Sequence, residues 1–159
     1  MKEAVLSQRT LVLGLGNPLS GDDSFGVRVL EALRRVEQPL PGNIAVADAG
    51  TDLLNRVEDF ASYDQVLLID AVLDPDGRLG QPGSISVFGE NEFSSWPETS
   101  PGVHQITPLL GVKLFRTLHP KAQTKIILVG LLVDQITHHI RHATRERIEQ
   151  AAARIRELL

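Results

Sequence analysis

Residues 10–26, T-L-V-L-G-L-G-N-P-L-S-G-D-D-S-F-G, constrain the fold more than any other stretch of the sequence. An apolar strand is predicted over residues 11–15, and it runs into a segment of Gly, Asn, Pro and Ser, which favour turns. Two adjacent carboxylates, Asp22 and Asp23, stand where the first helix is predicted to begin. A strand, a compact loop and a helix in this order indicate the start of an α/β unit.

The loop does not have the pattern of a phosphate-binding loop. The dinucleotide motif G-x-G-x-x-G would need a third glycine where this chain has Leu19, and the chain has no G-K-S/T triphosphate motif. Two aspartates at a helix N-terminus would also repel a phosphate group. The sequence therefore favours a loop that binds a cation or a proton. A nucleotide-binding dehydrogenase is the weakest of the alternative functions.

Apolar runs alternate with helical patterns along the whole chain. Strands are predicted at residues 11–15, 44–47, 66–69, 85–88 and 126–133, and helices at residues 24–36, 52–59, 107–118 and 145–159. This alternation predicts an α/β fold, a three-layer sandwich with a twisted, mostly parallel sheet of about five strands and helices on both faces. The strand near residue 85 is expected at an edge. A length of 159 residues suits one domain, predicted over residues 1–159.

Composition excludes several functional classes. A net charge of -4 and a pI of about 5.7 argue against a nucleic-acid surface, which needs clustered Lys and Arg. The chain has no cysteine, so thiol catalysis, thiolate metal sites and disulfides are excluded. The first ten residues lack the apolar core of a signal peptide, and no run approaches the roughly 18 apolar residues of a membrane span. We therefore expect a soluble cytoplasmic protein.

Three side chains are candidates for a shared site. Asp23 follows the first predicted strand, and Asp70 ends the apolar third strand, V-L-L-I-D, so both are expected at the carboxyl edge of the sheet, where ligands bind. His104 follows a long polar loop at residues 89–102 and precedes a helix, which allows it to fold over the same edge. Two carboxylates and one imidazole form an open ligand set for a divalent metal.

Each candidate also has a structural alternative. The structural alternatives are that Asp23 caps the helix, that Asp70 accepts backbone N–H groups in the following turn, and that His104 is a structural or exposed loop residue. Asp22 is predicted to be the N-cap of the first helix. Asp48 is predicted to bind its own backbone in a turn in which Gly50 takes a positive φ.

Two further groups of residues admit a functional interpretation. His138, His139 and His142 form H-H-x-x-H, and on a helix the first and last would share a face. That cluster contains no carboxylate, and we do not count it as a metal site. Phe93 and Trp96 lie in the long loop, where they either pack the loop onto the sheet, which we favour, or offer an apolar surface to a protein partner.

Four segments resemble one known family. The run G-L-G-N-P-L-S-G-D-D-S-F-G-V-R-V at residues 14–29 resembles the opening motif of the hydrogenase maturation endopeptidases, which trim the large subunit of nickel-iron hydrogenases. D-A-G-T at residues 48–51, L-L-I-D-A at 67–71 and P-G-V-H-Q at 101–105 follow in the order of that family. The four segments extend over most of the chain.

The resemblance implies a specific activity and site. It implies an endopeptidase that removes a C-terminal extension from the nickel-loaded large-subunit precursor of a hydrogenase. The family's metal-binding acid, aspartate and histidine match Asp23, Asp70 and His104, which would be both metal ligands and catalytic residues. The nickel would be the precursor's own, and we expect other divalent cations to substitute in vitro. The implied partner is the precursor, with no nucleic acid and no membrane, and the protein is expected to be a monomer.

Two other functions stay open from sequence. The peptidyl-tRNA hydrolases share G-L-G-N-P, but they continue into a histidine-bearing T-R-H-N segment where this chain has S-G-D-D-S. A non-catalytic, nickel-dependent binding or chaperone module would recognise a metallated partner without cutting it. Within the enzyme interpretation, the missing cysteine and the missing Ser-His-Asp pattern disfavour a covalent nucleophile.

Overall fold

The computed structural model describes residues 7–35, 37–96 and 108–159, which form one five-stranded sheet in the order β2-β1-β3-β5-β4. The first four strands in that order are parallel, and β4 is an antiparallel edge strand. The predicted mostly parallel sheet and the edge position near residue 85 are therefore confirmed. The strands are β1 (Thr10–Leu15), β2 (Ile44–Gly50), β3 (Gln65–Leu73), β4 (Ile85–Gly89) and β5 (Lys125–Val133).

The helices occupy nearly the predicted positions, with differences at their ends. The helix predicted at residues 24–36 is shorter, and the one predicted at 52–59 is a single α-turn followed by a 3₁₀ helix, Glu58–Ser62. A short helix after β4 was not predicted, and it falls inside the segment expected to be loop. The α-helices are α1 (Phe25–Leu33), α2 (Leu54–Val57), α3 (Glu90–Phe93), α4 (Pro108–Leu118) and α5 (Arg145–Leu158), and a 3₁₀ turn, Gly21–Ser24, precedes α1.

Two apolar cores cover the two faces of the sheet. On one face α1 and α5 pack together, with Phe25 and Ile155 fully buried. On the other face Phe60 and Phe115 contact each other, with ring centroids 5.3 Å apart. The sheet is therefore covered on both sides, as the near-continuous apolar sequence of its parallel strands requires. The three-layer arrangement is confirmed.

The interpretation of the aromatic residues after β4 as packing residues agrees with the structure. Phe93 is fully buried, and the ring of Trp96 lies 4.8 Å from that of Phe88 and 6.2 Å from that of Phe93. These contacts hold the chain against the β4 edge of the sheet. The rest of the long loop, residues 97–102, lies outside the described residues.

The third strand is longer than predicted, which changes the position of Asp70. Pairing between β3 and β1 ends at Ile69, but pairing between β3 and β5 continues to Leu73. The prediction that Asp70 ends the strand was wrong, because β5 supplies hydrogen-bond partners for four more residues than β1 does. Asp70 is instead the first residue of β3 beyond its last pair with β1, Gly14 with Ile69.

The first helix begins in direct contact with the sheet. A Cβ atom on Gly26 would lie 2.3 Å from the carbonyl oxygen of Leu15 and 2.4 Å from that of Ile69. Only glycine allows this approach, because backbone oxygens cannot move aside as the end of a side chain can. The start of α1 is thus packed onto the ends of both β1 and β3.

We predict that Gly26→Ala destabilises the protein by roughly 1–3 kcal/mol, the usual cost of overpacking. The added methyl group would push α1 away from the two strand ends. Gly42→Ala is the matched control, because nothing lies within 4 Å of a Cβ at that exposed position. Urea unfolding of both variants measures the effect, and equal free energies of unfolding would contradict the prediction.

Candidate active site

The sheet has its topological switch point between β1 and β3. Strand β2, which follows β1 in the chain through α1, lies on one side of β1 in the sheet. Strands β3 and β5 lie on the other side of β1. Ligand sites of open α/β sheets form at the carboxyl edge at this point. Asp23 follows β1, and Asp70 lies on β3 just past the last residue paired with β1, so both predicted acids are at this position.

Asp23 is almost buried and belongs to the 3₁₀ turn rather than to the end of α1. Its side chain is 9% exposed, and its Oδ2 accepts a hydrogen bond of 3.0 Å from the backbone N–H of Asn17. The N-cap residue of α1 is Ser24, whose side chain makes no capping bond. The alternative that Asp23 caps the helix is therefore wrong.

Asp70 is held in an environment that disfavours its ionised form. Its pKa is raised from 3.8 to about 8, mainly by burial in the surrounding protein and secondly by the negative charge of Asp23. A hydrogen bond with the backbone of Ala71 acts in the opposite sense and is the smallest of the three effects. The role of Asp70 as a backbone acceptor thus explains only a minor part of its environment.

Two interacting carboxylates of this kind can bind one proton or one cation between them. Like charges at short range disfavour double ionisation, so the pair retains a proton near neutral pH. A divalent cation in place of that proton would favour the ionised form of both groups. The arrangement therefore suits proton transfer or oxygen ligation of a metal ion.

His104 lies outside the described residues, so its predicted place at the site stays a prediction. The chain is described again from Pro108, the first residue of α4. The backbone of Gly111, in the first half of α4, packs against the side chain of Leu53, just after β2. Helix α4 therefore starts near the carboxyl edge of the sheet, and His104 precedes Pro108 by four positions in sequence.

The described part of the chain holds no complete metal site. Within residues 7–35, 37–96 and 108–159, no group of three or more His, Cys, Asp or Glu side chains is arranged to hold a metal ion. The histidines of H-H-x-x-H are not on a helix, so the shared face considered for His138 and His142 does not exist. The Nε2 of His142 lies 3.5 Å from Oδ1 of Asp134.

Asp22 does not have the capping role predicted for it. Its Oδ1 accepts hydrogen bonds from the backbone N–H groups of Arg141, His142 and Ala143, at 2.9, 2.8 and 2.8 Å. No side-chain cap is present at the N-terminus of the 3₁₀ turn or of α1. No local sequence pattern indicates this contact, because the nearest of the three donors is 119 positions from Asp22.

The D-A-G-T segment forms the predicted turn. Oδ1 of Asp48 accepts a 2.7 Å hydrogen bond from the N–H of Gly50, whose φ is +57°. The carbonyl oxygen of Gly50 in turn accepts a 2.9 Å bond from the N–H of Gly16. The predicted local role of Asp48 is confirmed, and the turn is joined to the loop that precedes Asp23.

We predict that Asp70→Asn stabilises the protein at alkaline pH. A folded-state pKa of about 8 means that the contribution of protonated Asp70 is complete below pH 3.8 and is lost as the pH rises through 8. Asparagine has no charge to bury, so its advantage should grow across this range to at most about 6 kcal/mol, at about 1.4 kcal/mol per pKa unit. Thermal unfolding of both proteins from pH 4 to pH 9 measures the difference. Melting temperatures that change in parallel with pH in the two proteins would contradict the prediction.

The fold and the site together define a class of protein. It is a doubly wound α/β protein with a carboxylate pair at the switch point of its sheet, and no helix in the described ranges is both long and apolar enough to cross a bilayer. The family model for hydrogenase maturation proteases, HycI, matches residues 27–158. The chain belongs to the hydrogenase maturation protease family.

Individual relatives agree with this membership. The chain is 30% identical to the hydrogenase 2 maturation protease of Escherichia coli K12 over 134 residues, 83% of this chain and 77% of that protein. It is 37% identical to HupD of Rhizobium leguminosarum over 84 residues, 53% of this chain but only 39% of HupD. The structure of the hydrogenase maturating endopeptidase HybD from Escherichia coli matches with a TM-score of 0.77 at 27% identity, covering 95% of this chain and 91% of that one.

Proposed function

We propose that this protein is an endopeptidase that removes a C-terminal extension from the large-subunit precursor of a nickel-iron hydrogenase. The observation that carries the proposal is the carboxylate pair, Asp23 and Asp70, at the switch point of a sheet shared with the maturation proteases. The family match supports this function over a peptidyl-tRNA hydrolase. Asp23, Asp70 and His104 are the residues that we assign to catalysis and to metal binding.

Nickel enters this proposal as part of the substrate, held by the precursor. Oxygen ligands from Asp23 and Asp70 and a nitrogen ligand from His104 suit a borderline divalent ion and leave positions open for the precursor's own ligands. A metal ion in that position would polarise the scissile carbonyl or lower the pKa of a water molecule. Asp70 would release its proton when the metal-loaded precursor binds.

We assign to these groups an aspartyl or metal-dependent type of hydrolysis. Cysteine is absent from the sequence, so no thiolate can form an acyl-enzyme. We assign the attack to a water molecule between the two acids. Asp70, ionised once the metal ion has displaced its proton, would accept a proton from that water molecule and return it to the leaving amine.

Exposed apolar side chains around the same edge support a protein substrate. Leu19 is 87% exposed in the loop before Asp23, and Leu54 is 42% exposed after β2. Both side chains lie in segments that follow the carboxyl ends of β1 and β2, and we assign them to the surface that contacts the precursor. The partner in our proposal is the precursor, without nucleic acid or membrane, and the protein acts as a cytoplasmic monomer.

We expect Asp70→Asn and Asp23→Asn each to lower processing of a nickel-loaded precursor by at least about 100-fold, since each removes a charged group that acts on the reacting centre. Mass spectrometry of the precursor, incubated with and without nickel, measures the shortening. Asp59→Asn is the control, because Asp59 is an exposed residue of the 3₁₀ helix that follows α2.

The same experiment separates the proposal from its alternative. Loss of the extension in the presence of wild-type protein and nickel supports an endopeptidase. A stable complex with an unshortened precursor would instead identify a non-catalytic nickel-dependent binding module. Full processing by Asp70→Asn would show that cleavage does not require the acid pair.

We further predict that Leu19→Asp raises KM for the precursor by about tenfold, since burying an unpaired charge in an apolar contact is costly, while kcat changes little. Leu118→Asp is a matched control, because Leu118 is 50% exposed but lies at the end of α4 remote from the acids. Initial rates over a range of precursor concentrations separate KM from kcat. An unchanged KM would place the docking surface elsewhere.

A further inference from the structure

One oxygen of Asp22 anchors the loop between β5 and α5. It accepts the three consecutive N–H groups of residues 141–143, and the Asp22 side chain is only 1% exposed. A buried carboxylate that accepts several backbone N–H groups makes strong, charge-assisted hydrogen bonds. Asp22 therefore ties the turn before α1 to a segment more than 100 positions later in the chain.

The backbones of the turn and the loop are also in close contact. A Cβ atom on Gly21 would lie 2.1 Å from the carbonyl oxygen of Thr137 and 2.6 Å from that of His139. Gly21 has a φ of +50°, which a side chain would strain as well. The turn thus fits against the loop at backbone distance, and small movements of one must move the other.

The loop itself is braced on both sides. Asp134 is paired with Arg141 at 3.2 Å, and the guanidinium of Arg28 on α1 donates a hydrogen bond to the carbonyl oxygen of Ala143. These contacts join the loop to the end of β5 and to α1. The loop is therefore a fixed support for the turn rather than a mobile covering.

Asp22 and Asp23 are neighbours on a single 3₁₀ turn but make contacts in different directions. Asp22 binds the β5–α5 loop, whereas Asp23 binds the N–H of Asn17 in the loop after β1. A turn of four residues has few internal hydrogen bonds, so its orientation depends on the groups around it. The direction of the Asp23 carboxylate thus depends on the contact made by its neighbour.

We propose that Asp22 is a positioning residue for the acid site: by binding the backbone of residues 141–143, it fixes the turn that carries Asp23. The proposal rests on the function proposed above, which gives Asp23 its catalytic role. Asp22 itself does not contact the precursor. Its loss should therefore lower kcat and leave KM nearly unchanged.

A matched pair of variants at Arg141 tests one of the three hydrogen bonds directly. Arg141→Pro removes both the N–H donated to Asp22 and the side chain, whereas Arg141→Ala removes only the side chain. We expect kcat of the proline variant to be about tenfold or more below that of the alanine variant, since small displacements of a catalytic group cost 10- to 100-fold in rate. KM should agree within about twofold.

Variants of Asp22 provide a second test that holds if the proline variant fails to fold. The amide oxygen of Asp22→Asn can accept the same N–H groups, whereas Asp22→Ala leaves them unpaired. Processing should therefore decrease in the order wild type, asparagine, alanine. Ile155→Val, in the core between α1 and α5, provides a variant of reduced stability with an unaltered turn.

Hydrogen exchange at the Asn17 amide reports the position of Asp23 without any precursor. Two results together support the proposal: the Asn17 amide exchanges faster in Asp22→Asn than in wild type, and the kcat of Asp22→Asn is lower than that of Ile155→Val although the two variants have similar melting temperatures. Equal kcat in the two Arg141 variants, or a kcat loss that follows melting temperature alone, would overturn it. If wild-type protein does not shorten the precursor, the proposed function fails, while the Asn17 exchange still decides whether Asp22 holds the turn.

Discussion

The contact between the start of α1 and the ends of β1 and β3 determines the rest of this site. Because Gly26 has no side chain, α1 begins against the carbonyl oxygens of Leu15 and Ile69. The turn that precedes the helix is thereby placed over the point where β3 extends past β1. Asp23 and Asp70 meet there although 47 positions separate them in the chain. The charge repulsion between them is the direct result of this packing.

The order of strands and helices was predictable because each element carries its own pattern in the sequence. Parallel strands covered on both faces are continuously apolar, and helices show the period of 3.6 residues. The same local patterns led to Asp23 and Asp70 as candidates, since an acid after a buried apolar run is unusual. The end of β3 was misjudged, because strand length is set by the partner strand, here β5, and that information is not local.

Asp22 shows more clearly than the end of β3 what a sequence pattern cannot predict about a site. An aspartate before a helix is usually its N-cap, and that local rule is sound on average. Here the carboxylate instead satisfies three N–H groups of a distant loop, which have no partner in a helix or strand. No spacing rule links Asp22 to residues 141–143, because only the packing of α5 against α1 brings that loop to the turn.

The raised pKa of Asp70 also bears on how a metal-loaded partner would be selected. A free cation must displace the shared proton before it gains both carboxylates, so part of its binding energy is spent on ionising Asp70. A cation already held by a protein partner brings further contacts from that partner, and exposed apolar groups such as Leu19 are available for them. Two weak contacts joined in one molecule bind far more tightly than either alone. On the proposed function, free metal would be disfavoured by the cost of ionising Asp70, whereas metal-free precursor would bind weakly because it makes no metal contact with the acid pair.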